Sequence, residues 1–125
     1  MSPQQSPKVI MYHNPRCSKS RQALDIIKQY TQNIELRLYL TDGITADEVV
    51  MLTKMLNMHP SEFVRKKEPA FKTLESDEFS IEEWSAIIEE HPILLERPIV
   101  IVEHATGAQQ AIVARPPELV RQVMA

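Results

Sequence analysis

The sequence predicts an α/β fold: a mixed four-stranded sheet flanked by helices, with a helical insertion between strands 2 and 3. Three patterns predict it. A strand, a helix and a second strand follow one another from Val9, within the span of a right-handed βαβ crossover. Two capping boxes then open successive helices. Two short apolar runs joined by a glycine turn form a hairpin ahead of a last helix.

Taken in order, residues 1–7 are polar, carry two prolines and read as a disordered tail, with residues 8–125 forming a single domain. Val9-Ile10-Met11-Tyr12 is a continuous apolar run, the pattern of a strand covered on both faces. Ala23, Leu24, Ile27 and Tyr30 recur at helical spacing and predict a helix over 18–30. Ile34, Leu36, Leu38 and Leu40 alternate with Glu35, Arg37 and Tyr39, predicting a half-buried strand. After the Asp42-Gly43 turn, Thr45 with Glu48 caps a helix showing Val49, Leu52, Met55 and Leu56 to a core. Residues 63–71, FVRKKEPAF, have no clean period and read as loop and short helix. Ser80 with Glu83 caps a helix whose apolar face is Ile81, Trp84, Ile87 and Ile88. Strands follow at Ile99 to Val102 and Ala111 to Ala114, turning around Thr106-Gly107. Pro116 and Pro117 suit the first turn of a final helix, with Leu119, Val120, Val123 and Met124 inward.

Composition narrows the function classes. A chain of 125 residues holds one sizeable core and not two. Fourteen basic against 17 acidic side chains argue against a nucleic-acid or membrane-surface binder, which would carry a basic excess. No apolar run is long enough to span a bilayer, and the first residues lack the pattern of a signal peptide. With one cysteine no disulfide can close within the chain, so the expected location is cytoplasmic and any thiol chemistry must borrow a second thiol.

That cysteine, Cys17, falls between a strand end and a helix start, where backbone N–H groups and the helix dipole favour an anion. Arg16, Lys19 and Arg21 add positive charge nearby, so the thiol should be acidified and its reactive thiolate populated near neutral pH. The competing reading is an inert cysteine acting as a small hydrophobe. His13 is placed either to assist the cysteine by proton transfer or thiolate stabilisation, or to serve as a hydrogen-bonded structural histidine. Asn14 and Ser20 are read as braces of the loop. Spacing removes several alternatives. In CSKS, residues 17–20, Ser20 stands where a dithiol motif needs its second cysteine. A tyrosine-phosphatase loop needs an arginine at position 23, which is Ala23. His13 and Cys17 alone are too few ligands for a metal, and there is no glycine-rich phosphate loop.

The segment YHNPRCSKSR, residues 12–21, resembles the active-site segment of the glutaredoxin-coupled arsenate reductases, the ArsC family with a thioredoxin-like fold. ERPIVI at 96–101 and ARPPE at 114–118 agree in order and separation, with a weaker match in FVRKKEPAF at 63–71. The resemblance covers nearly the whole chain and is to the shorter members of the family. It implies that Cys17 is the nucleophile and that Arg65, Arg97 and Arg115 bind the oxyanion, with Arg21 among the supporting residues. Arginine suits that role because its planar fork pairs two oxygens at once and stays charged. Pro98, before the third strand, is the candidate for the cis-proline that faces the cysteine in thioredoxin-like folds.

The resemblance further implies reduction of arsenate to arsenite through a Cys17 adduct. Glutathione is the co-substrate, glutaredoxin the partner, and no cofactor or metal is bound. Two alternatives stay open at the level of sequence. One is a non-catalytic thioredoxin-like regulator that binds RNA polymerase, whose relatives use a CxxC pair absent here. The other is a thiol oxidoreductase acting on a different oxyanion or on a glutathione-linked substrate.

Overall fold

A computed structural model describes residues 7–124, so the predicted tail lies, up to residue 6, outside the described residues. The chain forms two compact units, Met1–Leu38 with Arg97–Ala125, and Tyr39–Glu96. The first contains strands β1 (Lys8–Tyr12), β2 (Ile34–Arg37), β3 (Ile99–Glu103) and β4 (Gln109–Val113), with helices α1 (Ser18–Ile27) and α6 (Val120–Met124). The sheet runs in the order β2-β1-β3-β4; β1 and β2 are parallel and the other two pairings antiparallel. This is the mixed sheet that the β-α-β pattern and the terminal hairpin predict.

Register explains the core. Val9 pairs with Val102 and Met11 with Val100, which puts these four side chains on one face of the sheet. There they cluster with Ala23, Ile26 and Ile27 of α1 and Val120, Val123 and Met124 of α6. Each large aliphatic side chain buried in this way contributes about 1.5–3 kcal/mol. Ile99 and Ile101, on the opposite face of β3, are also buried, so the central strand is apolar on both sides as its sequence requires. Gly107, at φ +91°, makes the β3–β4 turn that an L side chain would strain.

The second unit is the helical insertion. Its helices are α2 (Tyr39–Asp42), α3 (Ala46–Leu56), α4 (Pro69–Lys72) and α5 (Ile81–Glu90); α3 packs on α5, and Leu52, Trp84 and Ile88 are fully buried. Both predicted capping boxes form: Thr45 with Glu48 on α3, and Ser80 with Glu83 on α5. The backbone N–H of Ala46 also donates to the Glu89 carboxylate at 3.0 Å, setting an α5 acid against the positive end of α3. Phe71 stacks on Trp84 at 6.3 Å between centroids and Phe79 meets it edge-on at 5.1 Å.

β4 begins at Gln109 and ends at Val113 rather than running from Ala111 to Ala114, and two further boundaries differ from expectation. The second strand ends at Arg37, and Tyr39–Asp42 is a helical turn. Pairing explains the stop: β1 ends at Tyr12, opposite Arg37, so residues 38–40 have no strand beside them. The burial is also reversed, since Leu36 and Leu40 are 41% and 40% exposed while Tyr39 is fully buried. Helix α1 stops at Ile27 rather than reaching Tyr30. The N–H groups of Gln29 and Tyr30 reach back three residues, to Ile26 and Ile27, tightening the last turn and leaving Tyr30 facing outward.

Candidate active site

The loop after β1 is built from short-range hydrogen bonds. The His13 N–H donates to the Arg37 carbonyl at 3.0 Å, continuing the β1–β2 ladder by one residue. The Asn14 side-chain oxygen accepts the Arg16 N–H at 3.0 Å, and the Asn14 carbonyl accepts the Cys17 N–H at the same distance. This side-chain mimicry of a turn is why asparagine suits the position. Cys17 is then the N-cap of α1, in an extended conformation at φ −92° and ψ 121°, and its carbonyl accepts the Arg21 N–H.

Ser20 ties the loop together. It is wholly buried, its Oγ accepts the Asn14 N–H at 3.2 Å, and the same oxygen shares a 2.7 Å hydrogen bond with His13 Nδ1. Burial, reinforced by the charges of Arg21 and Lys28, holds the His13 pKa below the usual histidine value. The ring therefore favours its neutral form.

Burial pushes the Cys17 thiol up, but four favourable contributions outweigh it and its pKa falls below the ordinary cysteine value. In order these are the Ser20 backbone N–H, a hydrogen bond from the Arg97 side chain, the Lys19 backbone N–H and the charge of Arg97. The direction and the role of the helix-start amides are those expected from sequence; the cationic agent differs. In place of the side-chain charges of Arg16, Lys19 and Arg21, the cationic contribution comes from an arginine 80 positions along the chain. The Arg21 guanidinium turns back to donate to the Pro15 carbonyl at 2.8 Å. No simple spacing signal could have linked Arg97 to the sulfur, because β3 brings them together only when it pairs with β1.

Arg115 joins the same group. Its Nη1 donates to the Arg97 carbonyl at 3.0 Å, so Cys17, Arg97 and Arg115 are linked within one unit. Pro98 is buried, the Arg97–Pro98 peptide is cis, and the Pro98 carbonyl accepts the Ala114 N–H at 2.9 Å. The Arg115–Pro116 peptide is cis as well, for which the sequence holds no separate signal. Arg65 belongs to the other unit. An isolated bridge between Val64 and Leu95 fixes its backbone, and its guanidinium sits between two carboxylates, Nε on Glu68 at 3.0 Å and Nη1 on Glu96 at 3.1 Å. Among the described residues no group of three His, Cys, Asp or Glu side chains could hold a metal ion. No described helix is long and apolar enough to cross a membrane.

A mixed four-stranded sheet with an acidified thiol at its first strand–helix junction and a cis-proline opening β3 defines a thioredoxin-like protein. The ArsC family model matches residues 12–123, so the chain belongs to the ArsC family. An arsenate reductase of Haemophilus influenzae is 34% identical over 119 residues, covering 93% of this chain and 98% of that protein. An uncharacterized Escherichia coli K12 protein, YfgD, is 38% identical over 120 residues, covering 94% and 97%. A solved arsenate reductase from Vibrio cholerae superposes with a TM-score of 0.83 at 33% identity, covering 94% of this chain and 98% of that one.

Proposed function

We propose that this protein is an arsenate reductase that uses Cys17 as its nucleophile and draws electrons from glutathione and glutaredoxin. The observation that carries the reading is the hydrogen-bonded Cys17–Arg97–Arg115 group at the start of α1. It supplies a stabilised thiolate and two guanidinium groups, the parts needed to attack and hold a tetrahedral oxyanion. The Cys17 thiolate attacks As(V) and a water or hydroxide ligand leaves. A glutathione thiol attacks the resulting adduct. Sulfur–sulfur bond formation between Cys17 and glutathione passes two electrons to arsenic, and arsenite departs. Glutaredoxin then takes the glutathione from Cys17. The external thiols are required because no second cysteine exists in the chain. A cytoplasmic setting, where such thiols are kept reduced, belongs to the same proposal, as does the action of residues 8–125 as one domain.

Within it, Ser20, Asn14 and His13 brace the loop, and Pro98 and Arg21 shape its surroundings. His13 Nδ1 is already engaged by Ser20 and its ring favours the neutral form, which supports bracing over a cationic role. Arg65 is the third arginine of the reading. Because Glu68 and Glu96 neutralise it, it acts on an anion only with its remaining N–H groups, so Arg65→Ala is expected to cost less than Arg97→Ala. The deciding experiment is arsenite formation from arsenate with glutathione, glutaredoxin and an NADPH-regenerating system. Turnover should require both thiol components and vanish in Cys17→Ser. Turnover with thioredoxin alone, or a folded Cys17→Ser protein that remains active, overturns the reading. Capture of RNA polymerase without any turnover points to the regulator instead.

A further inference from the structure

Charge is divided unevenly between the two units. The unit that carries Cys17 has nine basic against four acidic side chains, whereas Tyr39–Glu96 has five basic against 13 acidic. The thiol thus lies on a cationic unit of a chain whose formal net charge is −3. Three arginines of the cationic unit near the thiol are engaged by the fold itself, Arg21 on the Pro15 carbonyl, Arg97 on Cys17 and Arg115 on the Arg97 carbonyl. Arg16 and Lys19 are not. Both are exposed, they flank Cys17 on either side, and among the described residues neither side chain makes a hydrogen bond or ion pair.

Their position is unfavourable for folding. Cations repel the positive end of a helix, and α1 has no acidic residue in its first turn, whereas α3 and α5 begin with Asp47-Glu48 and Glu82-Glu83. No acidic side chain among the described residues pairs with either cation, and a local conflict of this kind marks a functional site. The two charged heads are also not the groups that govern the ionisation of Cys17. They therefore suit charges carried some distance from the reacting sulfur. A cysteine-containing peptide thiol has that form, with carboxylates several bonds from its own sulfur.

We propose that Arg16 and Lys19 form an outer cationic pair that selects a carboxylate-bearing thiol co-substrate over a neutral one at Cys17. The proposal rests on the reading that Cys17 exchanges with an external thiol, and it adds the residues that choose which thiol.

The test uses one balanced exchange that needs no arsenate. The Cys17 thiolate attacks one sulfur of glutathione disulfide, the S–S bond breaks, a mixed disulfide forms and a glutathione thiolate leaves. Its rate is compared with that for neutral hydroxyethyl disulfide in the unaltered protein, in Arg16→Ala/Lys19→Ala and Arg16→Glu/Lys19→Glu, and in Lys8→Ala. Lys8 lies at the opposite end of β1 from the Cys17 loop and pairs with Glu35. The preference for glutathione disulfide should fall about three- to tenfold in the alanine pair, and further in the glutamate pair and at high salt. The neutral disulfide rate should stay unchanged, which also reports an intact fold, and Lys8→Ala should behave like the parent. An unchanged preference in both double variants overturns the proposal. So does an equal fall in Lys8→Ala, which would assign the effect to the diffuse field. A loss confined to reaction with glutaredoxin would replace the small thiol with an acidic protein face. Arsenite formation is measured on the same variants. No arsenite from the unaltered protein, with a glutathione preference that still falls in the double variants, sinks only the arsenate reading; arsenite formation with a preference unchanged in both double variants sinks only the outer pair.

Discussion

At the residue scale, the chemistry depends on what surrounds one sulfur. The Cys17 thiol is burdened by partial burial and rescued by two amides and one guanidinium. Removing the guanidinium should tip that balance. In Arg97→Ala the midpoint of Cys17 alkylation against pH is expected to rise towards the unperturbed value of about 8.5, with Arg97→Lys recovering part of the shift. Iodoacetamide kinetics as a function of pH measure this directly, and coincident profiles for all three proteins would contradict it. His13 gives a second pH signature. Its folded pKa lies below the ordinary value, so below about pH 6.5 the unfolded chain binds a proton that the folded chain resists. The associated stability is present above that pH and is lost as pH falls through the folded pKa. Urea midpoints should therefore decline on acidification below about 6.5, and less steeply in His13→Gln.

At the scale of single elements, the three long helices begin differently. Thr45 and Ser80 close capping boxes on α3 and α5, while the cap residue of α1 is Cys17, which makes no side-chain cap bond in return. The α1 amides are thus left to act on the thiolate. Substituting Thr45 by Ala should cost about 1 kcal/mol, measurable by urea unfolding. Cys17→Ser should do the reverse: serine is a strong N-cap, so stability is expected to hold or rise by up to about 1 kcal/mol while activity is lost. A markedly less stable Cys17→Ser protein would mean that the sulfur itself supports the loop. Ser20→Ala removes a buried oxygen serving both His13 and Asn14, and should cost about 1–3 kcal/mol.

Across the whole molecule, the sheet is what gathers the candidate site. β1 delivers His13 and Cys17 at its end, and β3, beginning just after Arg97, pairs with it so that Tyr12 lies opposite Ile99. The core beneath holds this register. Ile27→Ala, in the fully buried seam between α1 and the sheet, should lower stability by about 2–5 kcal/mol in calorimetry or urea unfolding.

Much of this architecture is legible in the chain itself. The apolar runs of β1 and β3, both predicted capping boxes and the Gly107 turn are local signals, and local signals survive without tertiary context. The position of Cys17 at a helix start is legible for the same reason. What fails is also local in appearance. Leu38 and Leu40 continue a clean alternation, yet the strand ends where its partner ends, and the alternating pattern contains no information about the length of β1. By itself, then, the sequence determined the strand and helix order, the lone thiol and the resemblance that marks its arginines. Only the tertiary structure decided that Arg97, rather than the neighbouring cations, joins the helix-start amides in acidifying Cys17, and that two carboxylates hold Arg65. The physical reason is that ionisation responds to distance and hydrogen-bond direction in space, which strand pairing sets and sequence separation does not.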